Sequence, residues 1–438
     1  MGNIMKTFRV ILLGVILNIS LNSGVLFAKP PAVIALKPVI EKAAIIYNDP
    51  VSSTSTYQNL IYNLVNDNGT TNKLIFFSYP SSNYPNYRIP FDAANFRNTN
   101  GQVDNYVLYP DIGSSALKLM TIPNHNFNLR TVQNVPFAYS SSVSTIIGLS
   151  LEIGADSSGQ PMPVIAIHYN TFTGIGSPHL STIELLYKLN GTWHSLYNNG
   201  TVQFSNITYG NSLAGTLGLS LDTQTNGATG GANLVFYINP LSATGRGLYS
   251  VDYNFIGTTP TVSTPVLISG STINSIFEFP ISKSALIGKN LSPSPFGAFY
   301  CSYRVGGQQW NTVSSCLPNA SNVGAVRGIL GTGGSLFFVP LAISNTPTQP
   351  NSKSLYLYLI DVTAPSNPIF SILVNSGSSN YIWTSITKDY GNAMYILASK
   401  MQLQNFYLDL YGVTGNTYQF IATVDNVQTE NAKILPLD

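Results

Sequence analysis

The residues able to do chemistry in this 438-residue chain are few: two cysteines, four histidines and 18 carboxylates scattered singly. Cys301 and Cys316 bracket a segment with Gly306-Gly307 near its middle. The segment reads as a hairpin whose open end a disulfide would staple, worth about 3 kcal/mol for a loop of that size. Two free thiols are the alternative; a metal pair would need further Cys or a nearby His. His125, His168, His179 and His194 match no zinc spacing. His168 falls inside an apolar run and His194 follows Trp193 at a turn, so both read as strand or loop residues. The chain has no Gly-x-Ser-x-Gly elbow, no phosphate-binding glycine loop and no dinucleotide fingerprint. Asn66-Asp-Asn-Gly69 and Asp222-Thr-Gln-Thr-Asn-Gly227 have the composition of calcium loops. Neither continues to the carboxylate at the last ligand position, so both read as hairpin turns. No catalytic residue, metal or cofactor is expected from these patterns.

The elements that must position any site begin after an N-terminal targeting segment. Residues 1–28 carry Lys6 and Arg9, then the apolar run Val10–Leu17, and end on the small residue Ala28. This is the pattern of a secretory signal peptide, and it predicts export to a periplasm or the extracellular space. About 410 residues follow it, more than the roughly 250–300 that one core supports, so two domains or a repeating architecture is required. Charged residues make up only 9% of the chain, while Tyr (26) and Phe (21) raise the aromatic share to 11%. That apolar content excludes disorder. Once Lys6 and Arg9 are removed, basic and acidic residues balance at 18 each. A neutral surface carries no footprint for nucleic acid or an anionic membrane, and suits an uncharged protein or glycan partner. No later apolar run is long enough for a transmembrane helix.

Helical periodicity is nearly absent, and short runs rich in Val, Ile, Tyr, Phe and Thr recur between Gly, Asn, Asp, Ser and Pro. Several, such as Lys73–Tyr79, Pro163–Tyr169 and Ala232–Ile238, are apolar on both faces, as strands between two neighbouring sheets would be. One unit reads as a strand ending in Asp156-Ser-Ser-Gly159, a buried strand Val164–Tyr169, a third strand Thr182–Lys188, an Asn190-Gly191 turn and a fourth strand from Trp193. The same order recurs at roughly 50–60 residues. It divides the chain into units 55–128, 129–203, 204–268, 269–320, 321–377 and 378–433. This predicts an all-β propeller of six or seven four-stranded blades over 55–433, with tandem β-sandwiches as the alternative. Segment 29–54 would supply a strand that closes the ring, and 434–438 would be a tail.

Two short motifs carry resemblances. The unit from Asp156-Ser-Ser-Gly159 to Asn190-Gly-Thr-Trp193 resembles the blades of exported bacterial propellers. Tyr87-Arg-Ile-Pro90 resembles the Phe/Tyr-Arg-Ile-Pro motif of sialidases, which are six-bladed propellers. The resemblance implies that Arg88 belongs to a group of arginines clamping a substrate carboxylate. Gly306-Gly-Gln-Gln-Trp310 resembles the Asp-box turn of that family, with Val305 in place of the Asp and Gln309 in place of the Thr. No intact Asp-box is present, and the family's tyrosine nucleophile, its glutamate and its acid find no matched motif. Tyr87, Arg88 and Trp310 are therefore the candidate ligand-binding residues. The expected function is an exported protein that recognises a protein or glycan without chemistry of its own. The alternatives are a glycan-acting enzyme or degenerate sialidase-like lectin, and a structural component of a surface assembly.

Overall fold

The computed structural model describes residues 41–49, 57–80, 90–111, 116–136, 144–171, 179–196, 202–207, 217–238, 247–256, 260–268, 285–289, 299–303, 310–314, 325–326, 330–331, 336–344, 352–361, 370–391, 393–414, 417–427, 429 and 432–437. All of them belong to the compact unit Ile40–Asp438. Among them there is no α-helix, and the chain is a succession of antiparallel sheets.

The first sheet, S1, contains β1 (Glu41–Asp49), β2 (Tyr57–Asn66) and β3 (Thr71–Pro80). S2 follows with β4 (Asp92–Arg97), β5 (Val103–Pro110), β6 (Leu117–Ile122) and β7 (Thr131–Val135). S3 holds β8 (Ser144–Ala155), β9 (Pro161–Thr171) and β10 (His179–Leu189), with β11 (Thr192–Ser195) and β12 (Val202–Ile207) sharing its outer position along β10. S4 repeats that plan with β13 (Leu217–Thr223), β14 (Thr229–Ile238), β15 (Gly247–Asn254) and two short outer strands, β16 (Thr261–Val262) and β17 (Val266–Leu267). In S5 the described strands are β18 (Ala285–Lys289), β19 (Phe299–Tyr303) and β20 (Asn311–Ser314).

The last two sheets share a strand. Beyond β21 (Ala325–Val326), S6 runs β22 (Leu330–Gly331), β23 (Leu336–Ser344), β24 (Lys353–Asp361) and the first part of β25 (Phe370–Lys388). The second part of β25 pairs with β26 (Met394–Gln402), then β27 (Asn405–Thr414) and β28 (Thr417–Asp425), to make S7. The final strand, β29 (Ala432–Pro436), returns to S1 and pairs with β1, giving the order β29-β1-β2-β3.

Each sheet is an up-and-down meander, and among the described residues S1, S2, S3 and S7 bury both faces. Along β1, Ala43, Ile45 and Tyr47 pack with Trp383, Leu397 and Leu410 of S7, whereas Ala44 and Ile46 pack with Val107 and Met120 of S2. That is the period-two logic of a strand sandwiched between neighbours. Equivalent clusters join S6 to S7, S2 to S3 and S3 to S4. A β-sandwich would bury one face of each sheet, so the tandem-sandwich alternative does not fit. The architecture is a β-propeller with seven sheets among the described residues. Its ring closes inside S1, where a strand from each end of the unit meets, and this leaves no open first or last sheet edge.

Tight hairpins join first to second strands at one end. Asn98–Gln102, Asp156–Gln160 and Gln224–Ala228 share one geometry, in which the first residue's N–H donates to the fifth residue's carbonyl and the Gly at position four donates back to the first. In the first two, the leading Asn or Asp side chain also accepts from two backbone N–H groups of its own turn. The Asp156 turn therefore stands where the blade pattern places it. The Asn190-Gly191 turn also forms, with φ of 49° and 79°.

Candidate functional site at the inner strands

A propeller gathers its innermost strands around one axis, and here those strands include β4, β8, β13 and β29. Their relative directions follow from contacts. Lys433 meets Asp92, and three residues further along both strands Asn95 Nδ2 donates to the carbonyl of Pro436 at 2.7 Å. Strands β29 and β4 therefore run the same way. Gly148 lies beside Leu217 and Gly154 beside Leu221, which aligns β8 with β13. All these strands start at one end of the axis and run toward the tight hairpins at the other.

Asp92, the first residue of β4, ties three sheets together. Its carboxylate accepts from the N–H of Leu151 on β8 at 2.7 Å, from its own neighbour Ala93 N–H at 2.8 Å, and from Lys433 Nζ on β29 at 3.0 Å. The Asp92 side chain is 6% exposed and that of Lys433 is 26% exposed. A buried carboxylate needs such a set of donors, because an unpaired charge there would be strongly disfavoured. At the hairpin end, the Arg97 guanidinium lies 5.1 Å from the ring centroid of Tyr390, a cation–π contact between S2 and S7. Burial, the leading influence, raises the Tyr390 phenol above its usual range, and Arg97 opposes it.

Other buried polar groups lie within or between the sheets. Glu184 is fully buried on β10 and accepts from Ser195 Oγ at 2.7 Å and from Tyr169 Oη at 3.4 Å. Asp409 on β27 holds Lys400 Nζ at 2.6 Å and accepts from Thr423 Oγ1 at 2.8 Å. Asn375 donates to both Tyr381 and Tyr411 beside it. Asp425 of S7 accepts from Tyr47 Oη at 2.7 Å and pairs with Lys73 Nζ, both of S1. Burial pushes the Asp425 carboxyl up, but hydrogen bonds from Lys73 and Tyr47 outweigh it and hold the carboxyl below the usual range. His168 is a core residue edge-on to Phe236, and burial lowers its pKa to about 3. Among the described residues no three His, Cys, Asp or Glu side chains converge as metal ligands would.

Of the residues singled out from sequence, Tyr87 and Arg88 lie outside the described residues, five and four positions before β4. The chain passes from them through Pro90 and the buried Phe91 into that inner strand. Trp310 stands just before β20 and is 9% exposed. The hairpin read between Cys301 and Cys316 forms in the backbone, with Cys301 opposite Val313, while the Cys301 side chain and all of Cys316 lie outside the described residues. Asp92 and Lys433 were not singled out from sequence, because each is an isolated charge there and only ring closure brings them together.

No protein-family model matches this chain, and no curated protein matches it. Solved structures do. A candidate 6-phosphogluconolactonase from Bacteroides uniformis is 11% identical with a TM-score of 0.46, the match covering 90% of this chain and 99% of that one. A GH93 α-L-arabinofuranosidase of Fusarium graminearum is 8% identical with a TM-score of 0.41, over 74% and 92% of the two chains. The NanB sialidase of Streptococcus pneumoniae is 9% identical with a TM-score of 0.38, over 87% and 83%. Residue roles and substrates do not carry over at such identities. These chains are named as enzymes, two of them for activities on sugars. The expectation of a protein without chemistry of its own runs against these likenesses and is withdrawn.

Proposed function

We propose that this chain is an exported glycan-acting enzyme whose substrate binds at the end of the axis where the inner strands begin. The observation that carries this reading is the position of Tyr87-Arg-Ile-Pro90. The motif leads directly into β4, the inner strand that Asp92 anchors to the sheets on either side. On this reading the Arg88 guanidinium holds a sugar carboxylate through two parallel hydrogen bonds. Residues 1–28 direct export, and a Cys301–Cys316 disulfide staples the hairpin of S5. A neutral mature chain suits a substrate presented on a polysaccharide or glycoprotein, with binding decided by local contacts rather than long-range attraction.

The test is release of sugar from sialylated, uronate-containing and neutral oligosaccharides by purified Lys29–Asp438. Turnover that falls at least about 100-fold in Arg88→Ala, with the fold intact by circular dichroism, supports the reading; losing a bidentate contact to the reacting sugar costs that order of rate. A folded sample that neither binds nor cleaves any of them overturns it, and binding without cleavage overturns its enzymatic part. Thiol titration of the denatured, unreduced chain should find no free cysteine; two free thiols would remove the staple.

A further inference from the structure

We infer that Asn190 is a site of spontaneous backbone modification. The Gly191 nitrogen attacks the Asn190 side-chain amide, the residue becomes isoaspartate, and the outer hairpin of S3 loosens as a result. Asn followed by Gly is the pair suited to this chemistry, because glycine has no Cβ to shield its nitrogen. The chain holds five such pairs, at 68–69, 100–101, 190–191, 199–200 and 226–227, and all but 199–200 lie among the described residues. As dipeptides the four are alike, and the fold separates them.

At 68–69, 100–101 and 226–227 the glycine N–H is occupied. It donates to the carbonyl of Asn66 at 3.0 Å, of Asn98 at 2.9 Å and of Gln224 at 2.9 Å. Two of these asparagine side chains are held as well. Asn68 Oδ1 accepts from the N–H and the hydroxyl of Thr70, and Asn226 Oδ1 accepts from the N–H of Ala228. A nitrogen that donates to a carbonyl must give up that bond before it can lose its proton and attack. Asn190-Gly191 is different. It is the two-residue turn between β10 and β11, with both residues exposed and at positive φ. Among the described residues the Gly191 N–H has no acceptor and the Asn190 side chain has no partner. Nothing lies within 4 Å of the position a Gly191 Cβ would take. Both reacting groups are therefore free, and nothing shields them.

In the reaction a base from solvent takes the Gly191 amide proton and the nitrogen bonds to Asn190 Cγ. The side-chain Cγ–N bond breaks, and ammonia leaves. Water then opens the cyclic imide at either carbonyl. Opening at Cγ gives aspartate, which keeps the turn. Opening at the backbone carbonyl routes the main chain through Cβ and Cγ and leaves a carboxylate on Cα. The turn then carries an extra main-chain atom, and turn length sets the register that pairs Leu189 with Thr192 and Leu186 with Ser195. With β11 displaced, two contacts of the hairpin are lost: the Ser195 Oγ bond to Glu184 at 2.7 Å, and the stack of His194 on Tyr187 with 5.0 Å between ring centroids.

The experiment holds the folded mature chain at mildly alkaline pH and follows the four described pairs by peptide mapping, with isoaspartate scored by isoaspartyl methyltransferase labelling. Asn190 should convert at least about tenfold faster than Asn68, Asn100 and Asn226, the factor that one hydrogen bond on the attacking nitrogen supplies. In urea, where the turns are lost, the four rates should converge. Equal rates in the folded chain would refute the assignment. So would the same order in urea, because neighbouring sequence alone would then set it. Asn190→Gly removes the reacting amide and leaves both turn residues free to adopt positive φ. As wild type ages, hydrogen exchange at Thr192–Ser195 should speed up in step with isoaspartate formed, while Asn190→Gly should stay unchanged. Loosening in both chains, or in neither once Asn190 has converted, would refute the effect on the hairpin.

Discussion

Removing the Asp92 carboxylate should weaken the junction of S1, S2 and S3 far more than removing an ordinary surface ion pair. In Asp92→Ala the N–H of Leu151 loses its acceptor in a buried setting, which costs about 1–3 kcal/mol. Lys433 loses its counter-charge as well. Breaking a fully buried pair costs about 3–5 kcal/mol, but the Lys433 side chain is 26% exposed and can turn to water, which brings its share down to about 1 kcal/mol. The sum is about 3 kcal/mol. The comparison is Asp111 with Lys118, 3.2 Å apart with each side chain 25% exposed, where loss of the pair should cost under about 1 kcal/mol. Hydrogen exchange is the assay of choice, because a seven-sheet ring need not unfold in one step. Protection should drop at the amides of β4, β29 and Leu151, and urea unfolding should give a larger loss for Asp92→Ala than for Asp111→Ala. A cycle with Lys433→Met should return a coupling of about 1 kcal/mol or more. Equal losses for the two aspartates, or unchanged protection at Leu151, would show that the carboxylate does not hold the sheets together.

Two further perturbations probe the fold. Gly69 has φ of +78°, and an added Cβ would sit 2.6 Å from the carbonyl oxygen of Ile421 in the neighbouring sheet, whereas Gly191 has φ of +79° with nothing within 4 Å. Gly191→Ala should cost only the backbone strain, about 1–2 kcal/mol, and Gly69→Ala at least about 1 kcal/mol more through the clash; equal shifts in thermal melts would deny the contact between the Gly69 turn and S7. His168 has its pKa lowered to about 3 by burial, against about 6.5 in an unfolded chain. The unfolded state therefore takes up the proton first, and the stability that is complete above about pH 6.5 is lost progressively toward pH 3, at up to about 1.4 kcal/mol per pH unit. His168→Gln should flatten the acid limb of urea midpoints between pH 6.5 and 4, and an unchanged slope would refute the assignment.

The propeller was legible because its signals are local. Strands such as Pro163–Tyr169 are apolar on both faces, and Asp156-Ser-Ser-Gly159 and Asn190-Gly191 have the chemistry of tight turns. The division into units was less legible. The continuous β25 carries the chain from S6 to S7, and the Asn375-Ser-Gly-Ser-Ser-Asn380 run that has the composition of a turn, and at which the units divide in the sequence, falls inside one strand. The first sheet borrows β29 from the far end of the unit, where the sequence reading saw a tail from residue 434. A pattern that repeats along the chain cannot announce a pairing between its two ends.

Composition and periodicity alone determined that this chain folds into all-β blades with few charges, since backbone propensity and alternation act over a few residues. Arg88 could be singled out for the same reason, because its motif is contiguous. The tertiary structure alone decided that Asp92, Leu151 and Lys433 share one junction. Isolated charges carry no pattern, and only closing the ring removes Asp92 from water and makes its partners obligatory.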